Sequence, residues 1–213
     1  MNESITSQDV LAILAKMADD LEAQKDYLCE LDSIGDGDQG VTMAIGFQAV
    51  REALPALAGA DIGTIVSRAG MAFNGKAAST IGALFQTACM RAGREVRGKP
   101  EIGLPDLVRM FEAAIAGVKE RGKANVGDKT VLDMLVPTAE SLRRSWEGGA
   151  NLEQALRASL EAAENGVKST IPMRSAIGRA SWLADRTVGH QDPGATSFYL
   201  MWKSVVEYLT TQR

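Results

Sequence analysis

Leu31-Asp32-Ser33-Ile34-Gly35-Asp36-Gly37-Asp38-Gln39-Gly40 places three carboxylates within seven residues, interleaved with three glycines. An apolar pattern of helical period lies on each side of it. Ionised Asp36 and Asp38 repel at this spacing, and a cation between them relieves the like-charge cost. Oxygen-only ligands suit a hard ion such as Mg2+ or Ca2+ better than zinc. The glycines let the backbone turn tightly enough for alternate side chains to converge. The same residues also make an ordinary solvated turn, so the loop by itself leaves both readings open.

Before the loop, Ser7 is placed to cap a first helix carrying Val10, Leu14, Met17, Leu21, Leu28 and Leu31 on one face. After it, Met43, Phe47, Val50 and Leu54 repeat the spacing as far as Pro55. Ile62, Ile65, Val66 and Ala69 predict a third helix, and Leu84, Phe85, Ala88 and Met90 a fourth that closes near Gly98 and Pro100. Pro105 opens a fifth helix whose stripe runs from Leu107 to Val118 and stops at Gly122. Leu132, Leu135, Leu142 and Trp146 mark a sixth, with Pro137 as a kink. Leu152, Leu156, Leu160, Ala163 and Val167 mark a seventh. Asp192-Pro193 start an eighth with Phe198, Trp202, Val205 and Leu209 on one face. No alternating strand and no internal repeat stands out. The expected fold is all-α, one domain over residues 1–213, built as an eight-helix antiparallel up-and-down bundle or barrel.

Antiparallel packing puts alternate loops at the same end. The connections holding Asp32–Asp38, Lys76–Thr80, Gly122–Thr130 and Thr170–Gly194 then share one rim, and they are the most polar and glycine-rich in the chain. A site at that rim is the natural inference.

Composition narrows its chemistry. A net charge of −4 argues against a nucleic-acid partner. No run approaches membrane-spanning length, and Cys29 and Cys89 lack metal-site spacing, so the protein reads as cytoplasmic with free thiols. Gly70 to Ala77 nearly spells a P-loop, but Ala77 replaces the magnesium-binding hydroxyl and the preceding residues are helical in pattern. Ala78-Ser79-Thr80-Ile81-Gly82 opens a helix with small residues, which either offers backbone N–H groups to a phosphate or simply provides a cap at Ser79 or Thr80. Gly127-Asp128-Lys129-Thr130 reads either as an N-cap turn before the sixth helix or as a phosphate or ribose contact through Lys129 and Thr130 at the same rim, and the two can coexist. His190 is the single histidine, set among turn formers and read as structural, with Asp192 capping the last helix. Arg179 and Arg186 are candidates to pair with phosphates or with the acidic loop. An acidic loop, a small-residue helix start and an arginine-bearing loop on one rim fit a Mg2+-chelated polyphosphate.

These residues also carry a resemblance. The acidic loop, Arg121-Gly122-Lys123, Gly127-Asp128-Lys129-Thr130, Gly178-Arg179-Ala180-Ser181-Trp182-Leu183 and the run Val188 to Ser197 together resemble the nucleotide-binding L subunit of dihydroxyacetone kinase, the DhaL or DAK2 domain. The likeness keeps one order over nearly the whole chain. It implies an eight-helix barrel with a nucleotide at the open rim. It implies two Mg2+ ions held by Asp32, Asp36 and Asp38, and ADP or ATP contacted by Gln39, Thr42, Ser79, Thr80, Gly122, Thr130, Val131, Arg179, Asp192, Pro193 and Gly194. It further implies a kinase subunit whose small hydroxyketone substrate is bound by a separate K subunit, with a phosphocarrier protein as a second partner in one variant and room for a homodimer. The chain departs from the family in three places: three residues instead of four separate Asp32 from Asp36, Gln39 stands where the family has histidine, and Ala78–Gly82 replaces a glycine-rich phosphate loop. The departures motivate an alternative expectation, a non-catalytic ADP-binding module that contacts a transcription regulator.

Overall fold

Local signals set most helix ends. Thr6, one residue earlier than expected, caps α1 (Ser7–Ala23): its hydroxyl accepts from Asp9 N–H at 3.2 Å while Asp9 accepts from Thr6 N–H at 2.8 Å. Ser7 is already helical and donates its N–H to Pro100 O at 2.9 Å. The structure is a computed structural model that describes residues 4–212, with the side chains of residues 179 and 212 outside that description. The expected first helix is bent at Gln24 into α1 and α2 (Lys25–Leu31). Its pattern shows no breaker there; what comes close is the start of α3 (Gln39–Ala53), where a Cβ on Gly40 would lie 1.9 Å from Lys25 O. The remaining helices are α4 (Ile62–Lys76), α5 (Thr80–Glu95), α6 (Leu104–Gly122), α7 (Leu132–Glu147), α8 (Leu152–Ser169) and α9 (Pro193–Glu207). Pro137 lies inside α7 without ending it. One short pairing escaped the sequence reading: Ile5–Thr6 (β1) bonds antiparallel to Glu101–Ile102 (β2). Two residues are too few to show a period of two.

The chain is all-α, as expected. α1 packs on α3, and α3, α4, α5, α6, α7, α8 and α9 follow in sequence order until α9 returns to α1, which closes a ring. Inside it, Phe47, Phe73, Phe85 and Phe198 form a chain of tilted and edge-on ring contacts, with centroids 5.0 to 6.2 Å apart, linking α3, α4, α5 and α9. Beside them lies an apolar cavity of about 220 Å3 between Ile13, Met17, Phe111 and Trp202.

The α4–α5 seam explains the P-loop-like run. Gly70 is a contact residue: a Cβ there would sit 2.6 Å from Cys89 Cβ. Phe73 is fully buried, and Gly70 to Lys76 is continuous helix, with no loop to wrap a phosphate. Among the described residues no helix is long and apolar enough to cross a membrane.

Candidate functional site

α3, α5, α7 and α9 all begin at the same end of the ring, so four helix N-termini point toward one place. The first N–H groups of a helix have no partner within it, and the aligned peptide dipoles add partial positive charge there. Between these ends is a cavity of about 540 Å3, within the range that holds a drug-sized ligand. It is lined from all four expected connections: Asp32, Asp36, Asp38, Gln39 and Thr42; Ser79, Thr80 and Ile81; Gly122, Thr130 and Val131; and Asp192, Pro193 and Gly194. Of the site residues expected from sequence, all line this cavity except Arg186, which is not among its lining residues, and Arg179, whose side chain lies outside the described residues.

The acidic loop turns on itself through Gly35 N–H and Gly37 N–H, which both donate to Asp32 O, at 2.7 and 3.2 Å. Gly37 takes φ +71°, and a Cβ on Gly35 would meet Asp32 Oδ1 at 2.7 Å. Burial raises the Asp32 carboxyl above its usual range, the Gln39 and Asp38 N–H groups pull it back, and Asp36 and Asp38 push it up again. This is a set of oxygen donors of like charge, the chemistry a hard divalent cation suits. Among the described residues no three His, Cys, Asp or Glu side chains stand grouped to hold a metal ion. Gln39 donates to Ser197 Oγ at 2.8 Å and so ties the start of α3 to α9.

At α5, Ser79 is the cap, accepting from Gly82 N–H at 3.1 Å. Thr80 follows as the first helical residue, exposed at the cavity edge. At α9, Asp192 caps by accepting from Ala195 N–H at 2.7 Å, with Pro193 at the first position. Gly194 lets this turn approach its neighbours: a Cβ there would lie 3.3 Å from Val131 and 3.7 Å from Ile81. Asp192 is buried, and burial pushes its carboxyl up to about 6 although the Ala195 N–H and Lys129 draw it down.

Two residues carry more of the rim than their sequence suggested. Asp133, 1% exposed, accepts from Gly127 N–H at 2.6 Å and Thr130 N–H at 2.7 Å, which closes the turn before α7. The spacing Thr130-x-x-Asp133 is a capping-box signature that would have revealed it. Lys129 lines the cavity, as its loop position suggested, but its ammonium is taken up by the protein's own carbonyls. Its ammonium donates to Met173 O, Thr187 O and His190 O. Burial lowers its affinity for the proton and Asp192 restores part of it. Nothing local in the sequence signals this. His190 contributes its carbonyl to Lys129 and its N–H to Thr187 O at 3.4 Å, in keeping with a structural role. Trp182, on the 3-10 segment Arg179–Thr187, is 90% exposed at the cavity mouth.

The DAK2 domain matches residues 33–207. The ADP-binding subunit DhaL of the PEP-dependent dihydroxyacetone kinase of Escherichia coli is 41% identical over 199 residues, covering 93% of this chain and 95% of that protein. The corresponding subunit of PEP-dependent dihydroxyacetone kinase 2 of Listeria innocua is 36% identical, covering 92% of each. Among solved structures, the native dihydroxyacetone kinase of C. freundii matches with a TM-score of 0.72 at 24% identity over 93% of this chain, and this chain spans 34% of it. The same kinase in complex with AMP-PNP and Mg2+ matches with a TM-score of 0.69 at 23% identity.

Proposed function

The chain belongs to the DAK2 domain family, and from that premise we propose that it is the nucleotide-binding subunit of a dihydroxyacetone-type kinase. It holds ADP or ATP at the rim and presents the terminal phosphate to a small hydroxyketone, a triose or tetrose, carried by a separate K-type subunit. One observation carries the reading: four helix N-termini and an aspartate loop face a single cavity of about 540 Å3. Helix ends alone suit an anion, carboxylates alone suit a cation, and the two together suit a cation-chelated polyphosphate.

The roles divide by position. Asp32, Asp36 and Asp38 would hold Mg2+, which would supply positive charge to offset that of the phosphates. The N-terminal amides of α5 would meet the phosphates, while Ile81, Val131, Pro193 and Gly194 would form a less polar wall for the rest of the nucleotide. Phosphoryl transfer depends on positioning and charge compensation more than on a base, which suits a site with no acid–base dyad among its described residues. The similarity to ADP-binding subunits of PEP-dependent systems supports a bound ADP recharged by a phosphocarrier protein over free exchange of ATP.

Calorimetric titration of ADP and ATP with and without Mg2+, beside Asp36→Asn, tests the site. Tight binding that needs Mg2+ and is lost in the variant is expected; absence of binding by the wild type overturns the reading. The altered Ala78–Gly82 segment favours one other function, an ADP-binding regulatory module. Addition of a K-type subunit with dihydroxyacetone separates the two, since a regulatory module binds nucleotide and transfers nothing.

A further inference from the structure

The lysine of the turn before α7 is the residue that chemistry would first assign to a phosphate, and the structure gives it another task. Lys129 is 5% exposed. Its Nζ lies 2.5 Å from Thr187 O, 2.5 Å from His190 O and 3.1 Å from Met173 O. An ammonium has three N–H donors, and all three are spent on these carbonyls. The acceptors lie 44, 58 and 61 residues further along the chain, on both limbs of the connection between α8 and α9. Other bonds close the same connection around it: Gly189 N–H to Ile171 O at 2.8 Å, Ser175 N–H to Thr187 Oγ1 at 3.0 Å, and Asp192 N–H to Thr170 Oγ1 at 3.0 Å. Lys129 itself takes φ +60°, a conformation that costs a non-glycine residue energy. The N–H groups of Gly127 and Thr130, on either side, both donate to Asp133 and hold Lys129 there.

We propose that Lys129 is a positioning residue of the nucleotide site: its buried ammonium pins the 170–191 connection, and so places Asp192-Pro193-Gly194 at the rim, without touching the phosphates. This rests on the nucleotide reading above for its consequence, though not for the pin itself. Loss of the ammonium frees three carbonyls at once, with that of Thr187 buried, and a backbone group left unpaired in the interior favours local opening.

The test uses Lys129→Met and Lys129→Arg in the full chain. Hydrogen exchange without nucleotide is expected to quicken on the order of ten-fold in peptides covering residues 171–191 of Lys129→Met, while peptides of α1, α3 and α8 exchange as in the wild type. Lys129→Arg, which keeps charge and donors, restores part of the protection. The second readout is affinity for AMP, ADP and ATP. A positioning role lowers all three by a similar factor, on the order of ten-fold, whereas direct phosphate contact gives a loss that grows with phosphate number. Unchanged exchange in both variants, or a loss graded by phosphate number, overturns the proposal. If Lys129→Met does not fold, Lys129→Arg against the wild type decides by the same two readouts. Failure of the wild type to bind any nucleotide refutes the proposed function instead, and the exchange experiment still judges the pin.

Discussion

Asp192→Asn is expected to stabilise the protein at neutral pH, although Asp192 caps a helix. Its carboxyl is buried and rises from the usual 3.8 to about 6. At 1.36 kcal/mol per pH unit, an ionised Asp192 at neutral pH therefore carries a burden of at most about 3 kcal/mol. The charge assistance of the cap and the attraction to Lys129 are already contained in that figure; asparagine keeps an oxygen to accept from Ala195 N–H, but its NH2 group brings new donors into the buried space, at a cost of about 1–2 kcal/mol. The net gain is about 1–2 kcal/mol at pH 7.5. The sign follows from linkage. A carboxyl with a raised folded-state pKa contributes its full stability below about pH 4, loses it as pH climbs toward about 6, and stays without it above. Urea unfolding followed by circular dichroism, without nucleotide or Mg2+ and in steps from about pH 4.5 to about pH 8, gives the wild-type and variant stabilities. Their difference cancels the titration of every other group. A difference that is flat with pH, or a wild type that gains on the variant as pH rises, refutes the reasoning.

Gly63→Ala is expected to destabilise by about 1–3 kcal/mol in thermal unfolding, because the added Cβ would lie 2.3 Å from Gly93 O and 2.7 Å from Arg97 Cα, both backbone. Lys76→Ala leaves ADP affinity within about two-fold of wild type by calorimetry, since Lys76 ends α4 exposed and belongs to no phosphate loop; a collapse in affinity would restore the P-loop reading. Asp106→Asn costs about 1 kcal/mol at neutral pH. Burial by itself would raise the Asp106 carboxyl, but Lys99, Gly103 N–H and Arg109 hold it below its usual range, so its stability is present above pH 3.8 and lost as pH falls further. The gap between Asp106→Asn and wild type should accordingly narrow in acid unfolding curves.

What the sequence determined is what depends on neighbours in the chain. The apolar spacing from Val10 to Leu209 gave the helices, Asp192-Pro193 gave the start of the last one, and alternation of short connections placed four polar loops on one rim, where the cavity is. Helical period and caps are local properties, so they are legible locally. Tertiary structure alone decided where Gln24 bends, why Gly70 is glycine, how deeply Asp192 is buried, and that Lys129 turns into the protein to bind carbonyls up to 61 residues away. An exposed lysine and a buried one have the same neighbours in sequence. Only the folded chain supplies the acceptors and removes the water, and those two changes settle whether an ammonium meets a ligand or holds a loop.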